Sequence, residues 1–328
     1  MPEVRSSLTT AAVVAEPDTT AAAAAEPDTS AAAATAADRR RVRGAIAALL
    51  LGAVAIGFAP ILVRLSELGP VATAFHRMLF SLPALWLWYA IECRRPSSTP
   101  AAAADRPGFL AAGLCFAGDL AIWHWSLAFT SVANATLFPN FAPVFVTLAG
   151  LLFFGERFSR TFLAGMGLAI AGAVVLMGAS FDLGPRHLLG DGLALATALF
   201  YAGYILAVGR LRGRHGTAKI MAWSGLITCV CLLPVAVASG ESLIAPSLEG
   251  WLVLAALGLF SHALGQSLIA YALAHLPAAF SSVALLLQPA VAAVLAWVLF
   301  AEALGPWQAA GAVVILAGIA LARRGSRR

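Results

Sequence analysis

The stretch PVFVTLAGLLFFGERFSRTFLAGMGLAIAG, from Pro143 to Gly172, joins two apolar runs through a short charged turn. Its pattern returns 146 residues later as PAVAAVLAWVLFAEALGPWQAAGAVVILAG, from Pro289 to Gly318. Chance matches of Ala or Leu mean little in a chain this rich in both, so the matches in other residue types matter most. At the fixed offset these are Pro143 and Pro289, Phe154 and Phe300, Glu156 and Glu302, Gly165 and Gly311, and Gly172 and Gly318. The repeat predicts a duplicated bundle.

The same offset continues toward the N-terminus without a gap. It pairs Gly44 with Gly190, Gly57 with Gly203, Arg64 with Arg210, and Leu127-Ala128 with Leu273-Ala274. The repeated unit is about half the chain, which is too long for a solenoid repeat and suits a duplicated membrane bundle. We therefore predict three segments: an N-terminal tail (1–43), a first repeat (44–188) and a second repeat (189–328).

The composition is that of an integral membrane protein. Of 328 residues, 61% are hydrophobic and only 11% are charged, and the mean hydropathy is +0.87. Soluble domains average about a quarter charged residues. The net charge of +5 comes from basic residues at the ends of apolar runs, not from a patch interleaved with aromatic residues, so no nucleic-acid partner is expected. The four cysteines have no zinc-like spacing, and neither a metal nor a cofactor is predicted.

Ten apolar runs of about 20 residues follow Gly44, each long enough to span a bilayer. Their approximate centres are Ile56, Leu82, Ala117, Pro143, Ala169, Leu199, Thr228, Leu264, Pro289 and Val314. The preceding tail is rich in Ala, Thr and Pro, and acidic residues interrupt any apolar core, which predicts disorder. Five spans per repeat is an odd number, so the second repeat is expected to insert upside down relative to the first.

The distribution of Lys and Arg predicts the orientation in the membrane. With ten spans, all of these residues lie on the side of the N-terminus except Arg64 and Arg186, on the opposite side, and Arg77, inside a span. Basic loops are retained in the cytoplasm, so both termini are predicted to be cytoplasmic. One lysine against twenty arginines suggests a GC-rich gene, and with it a bacterial inner membrane.

The segment TSVANATLFPNFAPVFVTLAGLLFFGERFS and its counterpart LPAAFSSVALLLQPAVAAVLAWVLFAEALG resemble the EamA-type members of the drug/metabolite transporter superfamily. The resemblance covers about Gly44 to Arg324. It implies ten helices in two inverted five-helix repeats, around a cavity lined largely by spans 1, 3, 4, 6, 8 and 9. It also implies transport of small metabolites, including amino acids, often as export. Two departures are Ala301 in place of the usual glycine before Glu302, and Leu285 where the first copy has Pro139.

Ionisable residues inside spans carry a high free-energy cost in the membrane, and they therefore indicate a cavity or a partner. In span 3, Asp119, Trp123 and Ser126 share one helix face, which suits a substrate with an amine or a planar ring. Arg77 in span 2 is a potential ion-pair partner of Asp119, or a snorkelling side chain. If transport is coupled to a proton, we expect Asp119 to titrate, with His124 or His262 next. The other predicted substrate-binding residues are Asn134, Asn140, Tyr204, His262, Gln266 and Gln288, with interhelical hydrogen bonding as the alternative for each.

Pro143 and Pro289 lie near the middle of spans 4 and 9. Each lacks an amide N–H and frees a carbonyl four residues earlier, on Pro139 and Leu285 respectively. A freed carbonyl in hydrocarbon needs a partner, a water or a cavity. We predict gating kinks that expose backbone to the substrate, with a packing kink alone as the alternative.

Together these observations predict a secondary transporter of small organic solutes such as amino acids, most simply an exporter that works by alternating access. The expected partners are that solute and the lipid bilayer, and a homodimer is one option for an oligomeric state that the sequence leaves open. An enzyme is not expected, because no HExxH or GxSxG motif is present. An intramembrane enzyme built on Asp119, His124 and His262 and a passive channel are the alternatives.

Overall fold

The computed structural model describes residues 29–94, 105–130, 137–177, 188–301 and 305–326, and for residues 29–36, 124, 127 and 128 only the backbone. These residues are helical, apart from short connections, and contain no β-strand. The α-helices are α1 Thr29–Gly57, α2 Ala59–Leu65, α3 Pro70–Cys93, α4 Arg106–Phe129, α5 Ala142–Phe154, α6 Arg160–Met177, α7 Leu188–Arg212, α8 Thr217–Ala238, α9 Leu248–Ala256, α10 Ser267–Ala272, α11 Ala278–Ala284, α12 Leu287–Phe300 and α13 Pro306–Gly325. A 3₁₀ turn (Phe138–Phe141) precedes α5, and a π-helical segment (Leu257–Gln266) joins α9 to α10.

The predicted all-α class is confirmed, and the described residues contain seven helical stretches long and apolar enough to cross a membrane. These stretches are Ala37–Leu65, Arg160–Met177, Leu188–Arg212, Thr217–Ala238, Leu248–Ala272, Ala278–Phe300 and Pro306–Gly325, with Phe138–Phe154 as a shorter apolar one. Helices α3 and α4 have 24 residues each, which is long enough to span, but they are not among the seven. All ten predicted centres lie in helical segments.

The chain divides into two compact units, Met1–Arg39 and Arg40–Arg328. In the first unit, the described residues from Thr29 onward are helical, although the tail was predicted to be disordered. Their alanine-rich sequence has a high helix propensity, which the prediction underestimated. Residues 1–28 lie outside the described part of the chain. The second unit holds the main hydrophobic core, to which every α-helix except α2 and α9 contributes buried side chains.

Both mid-span prolines follow an interruption of the helix, and each carbonyl that a proline would release accepts another backbone hydrogen bond. The 3₁₀ turn precedes Pro143, and α11 ends at Ala284, shortly before Pro289. The Pro139 carbonyl accepts a hydrogen bond from the Ala142 N–H, and the Leu285 carbonyl accepts one from the Gln288 N–H at 2.9 Å. Each carbonyl that a proline would release thus accepts a 3₁₀-type hydrogen bond from the N–H three residues later.

Helices α6 and α13 pack closely in antiparallel directions through their glycines. A Cβ atom at Gly172 would lie 2.8 Å from the Gly311 carbonyl oxygen, and one at Gly311 would lie 2.8 Å from the Gly172 carbonyl oxygen. A Cβ at Gly165 would lie 2.8 Å from the Gly318 carbonyl oxygen. Gly165 and Gly172, like Gly311 and Gly318, are seven residues apart, and this spacing brings the two backbones into direct contact.

Further contacts occur twice at the repeat offset. The Arg64 guanidinium lies 4.5 Å from the ring centroid of Phe300, and the Arg210 guanidinium lies 3.9 Å from that of Phe154. Helices α5 and α12 also end alike, with a left-handed residue, Gly155 or Ala301, whose N–H bonds to the carbonyl five residues earlier. These residues, 146 positions apart in the sequence, thus have similar surroundings.

Ala301 adopts a left-handed conformation that favours glycine, with φ of 52° against 63° at Gly155. A Cβ atom in this region costs about 1–2 kcal/mol. We therefore expect Ala301→Gly to stabilise the protein by about 1 kcal/mol, and Gly155→Ala to destabilise it by a similar amount. Thermal unfolding of both purified variants in detergent checks this, and a lower melting temperature for Ala301→Gly would contradict it.

An ion-pair cluster joins the start of α4 to the α7–α8 connection. Asp105 Oδ1 accepts a hydrogen bond from an Arg214 guanidinium nitrogen at 3.0 Å, and Asp105 Oδ2 lies 3.0 Å from His215 Nε2. Lys219 Nζ lies 3.4 Å from His215 Nδ1. Partial burial of Asp105 opposes its ionisation, but the bonds from Arg214 and His215 outweigh that effect and lower its pKa.

This lowered pKa predicts a pH-dependent contribution to stability. The cluster stabilises the folded state above the unfolded pKa of Asp105, about 3.9, and the stabilisation is lost as the pH falls through the folded pKa. Asp105→Asn should therefore lower the melting temperature at pH 7, and the difference from the parent protein should be smaller at pH 3. An equal difference at both pH values would contradict this assignment.

Candidate functional site

A cavity of about 180 Å³ lies among helices from both halves of the chain. Its wall draws on α1, α2, α3, α4, the 3₁₀ turn, α7, the π-helical segment and α12. In terms of the predicted spans, these are spans 1, 3, 4, 6, 8 and 9, as the family resemblance implied, together with one residue of span 2. The lining residues are Ile56, Gly57, Ala59, Pro60, Val63, Arg77, Phe116, Asp119, Leu120, Trp123, Pro139, Asn140, Thr197, Tyr201, Gln266, Gln288, Pro289 and Ala292.

Irregular backbone surrounds this cavity. Span 1 breaks at Phe58, between α1 and α2, and the 3₁₀ turn contributes Pro139 and Asn140. The π-helical segment ends at Gln266, and α12 begins just before Gln288. Within a membrane, irregular backbone is tolerated where it is buried in protein or lines a cavity. These interruptions indicate a binding site more than a packing defect.

Two of the three residues predicted to share a face of α4 line the cavity. Asp119 and Trp123 are four residues apart on a regular α-helix, so their side chains point in similar directions. Ser126 is fully buried away from the cavity lining, and its hydroxyl donates a 2.6 Å hydrogen bond to the Trp123 carbonyl. The Ser126 hydroxyl is therefore bonded to the backbone of its own helix in this structure.

The two residues of span 8 that were predicted to bind substrate, His262 and Gln266, lie in different places. Gln266 lines the cavity, whereas His262 lies behind the wall, with its ring 5.2 Å from that of Phe116. The prediction assumed α-helical spacing, in which residues four apart share a face. In this π-helical segment, hydrogen bonds to the fifth residue widen the turn, so the rotation between His262 and Gln266 differs from the one that an α-helix would give.

Tyr204 is also behind the wall, although it was predicted to bind substrate. It is 2% exposed, its hydroxyl lies 3.7 Å from Met221 Sδ, and its ring packs 4.7 Å from that of Phe116. Tyr201, one turn earlier on α7, lines the cavity in its place and lies beside the Gln266 and Gln288 side chains. The sequence placed both tyrosines on span 6 but did not distinguish their faces.

Asn140 and Gln288 line the cavity as predicted, each at the irregular start of its helix. Of the two mid-span prolines, Pro289 lines the cavity and Pro143 is buried outside the lining. Asn134 and the side chain of His124 lie outside the described residues.

Arg77 lines the cavity but was not among the predicted substrate-binding residues. It was considered only as an ion-pair partner of Asp119 or a snorkelling side chain, because the sequence does not show which way α3 faces. Its Nε atom is buried without a hydrogen-bond partner among the described residues, as are Gln266 Nε2 and Gln288 Nε2. The cavity thus combines a guanidinium, a carboxylate, two amides with unused donors, and the rings of Phe116, Trp123 and Tyr201.

The described residues hold no group of three or more His, Cys, Asp or Glu side chains that could bind a metal ion. All four cysteines are free thiols. The side chains that line the cavity can recognise a small polar or amphipathic solute by charge, hydrogen bonds and aromatic contact.

Comparison with known proteins agrees with this description. The chain is 29% identical over 201 residues to a probable terminal-alkyne amino-acid exporter of Streptantibioticus cattleyicolor, an alignment covering 61% of this chain and 67% of the relative. It is 26% identical to the pseudopaline exporter CntI of Pseudomonas aeruginosa, over 66% of this chain and 75% of the relative. It is 33% identical to the threonine/homoserine exporter RhtA of Escherichia coli, over 45% of this chain and 50% of the relative.

A solved crystal structure shares the fold, with a TM-score of 0.74 and 20% sequence identity over 88% of this chain and 99% of that chain. The model of the EamA-like transporter family matches the chain twice, over residues 43–178 and 188–324. The two matches cover most of the sequence and begin close to the boundaries of the two predicted repeats. The chain is a multi-pass membrane protein and belongs to the EamA-like transporter family.

Proposed function

We propose that this protein is a secondary transporter that exports small organic solutes such as amino acids by alternating access. The observation on which this depends most is the cavity, because both halves of the chain supply its wall and it contains opposite charges away from bulk lipid. Intramembrane charges of this kind usually mark a solute pathway. Relatives named as exporters of amino acids support the substrate class.

Alternating access requires two halves that can exchange conformations, and we propose ten spans in two inverted five-helix repeats, 44–188 and 189–328. The antiparallel contact between α6 and α13 supports this. Gly172 contacts Gly311, the repeat equivalent of Gly165, and Gly165 contacts Gly318, the repeat equivalent of Gly172. The paired contacts of Arg64 with Phe300 and Arg210 with Phe154 support it independently. A two-fold axis in the membrane plane would relate both sets.

We place both termini in the cytoplasm of a bacterial cell, with the protein in the inner membrane. Most lining residues then belong to the parts of their helices nearer the external side, among them Val63 at the end of span 1 and Trp123 toward the end of span 3. In this orientation the cavity of the structure lies toward the side on which an exporter releases its solute.

Within this mechanism, we assign solute contact to the predicted residues that line the cavity, namely Asp119, Trp123, Asn140, Gln266 and Gln288. The helix interruptions before Pro143 and Pro289 are the proposed bending points. Broken helices at mid-membrane let one half of a span move without unwinding the other. A proton, if it is coupled, would be exchanged at Asp119.

Counterflow in proteoliposomes tests the function directly. Purified protein is reconstituted into vesicles loaded with millimolar amounts of one of the twenty L-amino acids, and entry of the same radiolabelled amino acid is followed. A carrier gives a transient accumulation that exceeds equilibrium for at least one of them, whereas empty vesicles do not. Absence of accumulation for all twenty, from protein shown to be folded, would contradict the proposed function.

A further inference from the structure

Arg77 and Asp119 line the same cavity from different helices, α3 and α4. Their charges attract each other through the protein, yet among the described residues no direct ion pair joins the guanidinium to the carboxylate. An ion pair made only for stability would be expected to close, because a separated pair retains the cost of desolvation without the hydrogen bonds that offset it.

The Arg77 side chain also keeps hydrogen-bonding capacity unused, since its buried Nε has no partner in the described structure. Buried polar atoms without partners are uncommon and call for an explanation. An arginine offers a planar fork of donors that matches a carboxylate. A solute with a carboxylate at Arg77 and a cation at Asp119 would satisfy both groups at once.

We propose that Arg77 is a specificity-determining residue that binds the carboxylate of an α-amino acid, while Asp119 binds its ammonium group. This inference rests on the proposed transport function and assigns a role to a residue of span 2. The separated charges of the cavity match the zwitterion in sign, because an α-amino acid has both groups on one carbon atom. A simple amine or a simple carboxylic acid would leave one protein charge unpaired, at a cost in affinity.

The rest of the cavity suits the side chain of such a solute. Phe116, Trp123 and Tyr201 supply aromatic surface, and the Gln266 and Gln288 amides supply donors. The volume of about 180 Å³ is below the range of about 300–1,000 Å³ typical of drug-sized ligands. A single amino acid is therefore favoured over a larger compound.

Competition assays with truncated analogues test this inference. Counterflow of L-leucine is measured against isoamylamine, which lacks the carboxylate, and against 4-methylpentanoate, which lacks the amine. Counterflow of L-threonine is measured in the same way against 1-amino-2-propanol and 3-hydroxybutyrate. Each analogue should compete at least about 30-fold more weakly than its parent amino acid, because one buried charge stays unpaired.

Variants of Arg77 separate recognition from folding. Arg77→Gln should lower the apparent affinity for L-leucine by about 30-fold or more while leaving that for isoamylamine almost unchanged, so the preference for the amino acid disappears. Arg77→Lys keeps the charge but not the fork and should fall between these limits. Arg210→Gln, at the end of α7 and outside the cavity lining, is the matched control and should keep the preference.

The outcomes distinguish this inference from the function on which it rests. If the parent protein accumulates amino acids but binds isoamylamine as well as L-leucine, the zwitterion assignment is wrong and the transport function stands. The zwitterion assignment is equally wrong if folded Arg77→Gln keeps the parent preference. If the parent protein accumulates no amino acid at all, the proposed function fails and the inference fails with it.

Discussion

Asp119→Asn should reduce amino-acid counterflow by about 100-fold or more while the protein remains folded. Asparagine has nearly the same shape as aspartate but no charge, so the variant loses the only carboxylate among the described residues of the cavity lining. The charge pair that is lost is the proposed one between Asp119 and the ammonium group of the solute. Losing one partner of such a desolvated pair costs about 2–5 kcal/mol, which corresponds to roughly 30-fold to several thousandfold in affinity. Counterflow of L-leucine at saturating and subsaturating concentrations measures the loss.

Ser126→Ala is the matched control for this prediction, because Ser126 lies on the same helix and its hydroxyl bonds to the Trp123 carbonyl away from the cavity lining. Its counterflow should stay within about threefold of the parent protein, since a neutral hydrogen bond contributes about 1 kcal/mol. A comparable loss in both variants would mean that α4 is sensitive in general. A pH gradient should no longer drive uptake in Asp119→Asn if Asp119 exchanges the coupled proton.

Gly172→Leu is expected to prevent stable folding. Even the first side-chain atom at this position would lie 2.6 Å from the Ile315 backbone nitrogen and 2.8 Å from the Gly311 carbonyl oxygen. These are backbone atoms, so α6 and α13 would have to move apart along their entire contact. We expect a loss of at least about 3 kcal/mol, seen as aggregation or a greatly lowered melting temperature in size-exclusion and thermal-unfolding experiments.

Gly167→Leu provides the comparison on the same helix. Gly167 is exposed, and a Cβ atom there would meet nothing within 4 Å. This substitution should leave the elution profile and melting temperature close to those of the parent protein. Equal behaviour of the two leucine variants would show that the α6–α13 contact does not determine stability.

The helical fold followed from features that the sequence displays openly. Long apolar runs require helices, because only hydrogen bonds within a segment satisfy its backbone in lipid. Glycines at seven-residue spacing favour close helix packing, and α6 and α13 meet at those residues. The helix interruptions at Pro143 and Pro289 were also predictable, since proline removes a hydrogen bond at a known position.

The details that were not predicted depend on tertiary packing. No local pattern marks Leu257–Gln266 as π-helical, so His262 was placed on the cavity with Gln266. The choice between Tyr201 and Tyr204 depends on the rotation of α7, and the role of Arg77 depends on the rotation of α3. Such rotations arise from contacts between distant segments. One of these is the contact of the π-helical segment with α3, so close that a Cβ atom at Gly258 would lie 2.9 Å from the Arg77 carbonyl oxygen.

The inverted arrangement of the two repeats is the claim on which the transport mechanism depends, and the sidedness of Glu156 and Glu302 tests it most directly. Each glutamate is replaced by cysteine in a variant without the four native cysteines, and intact cells and inside-out vesicles are treated with a membrane-impermeant thiol reagent. Inverted repeats predict that the cysteine at position 156 reacts only from the cytoplasmic side and the cysteine at position 302 only from the external side. Reaction of both from the same side would contradict this arrangement.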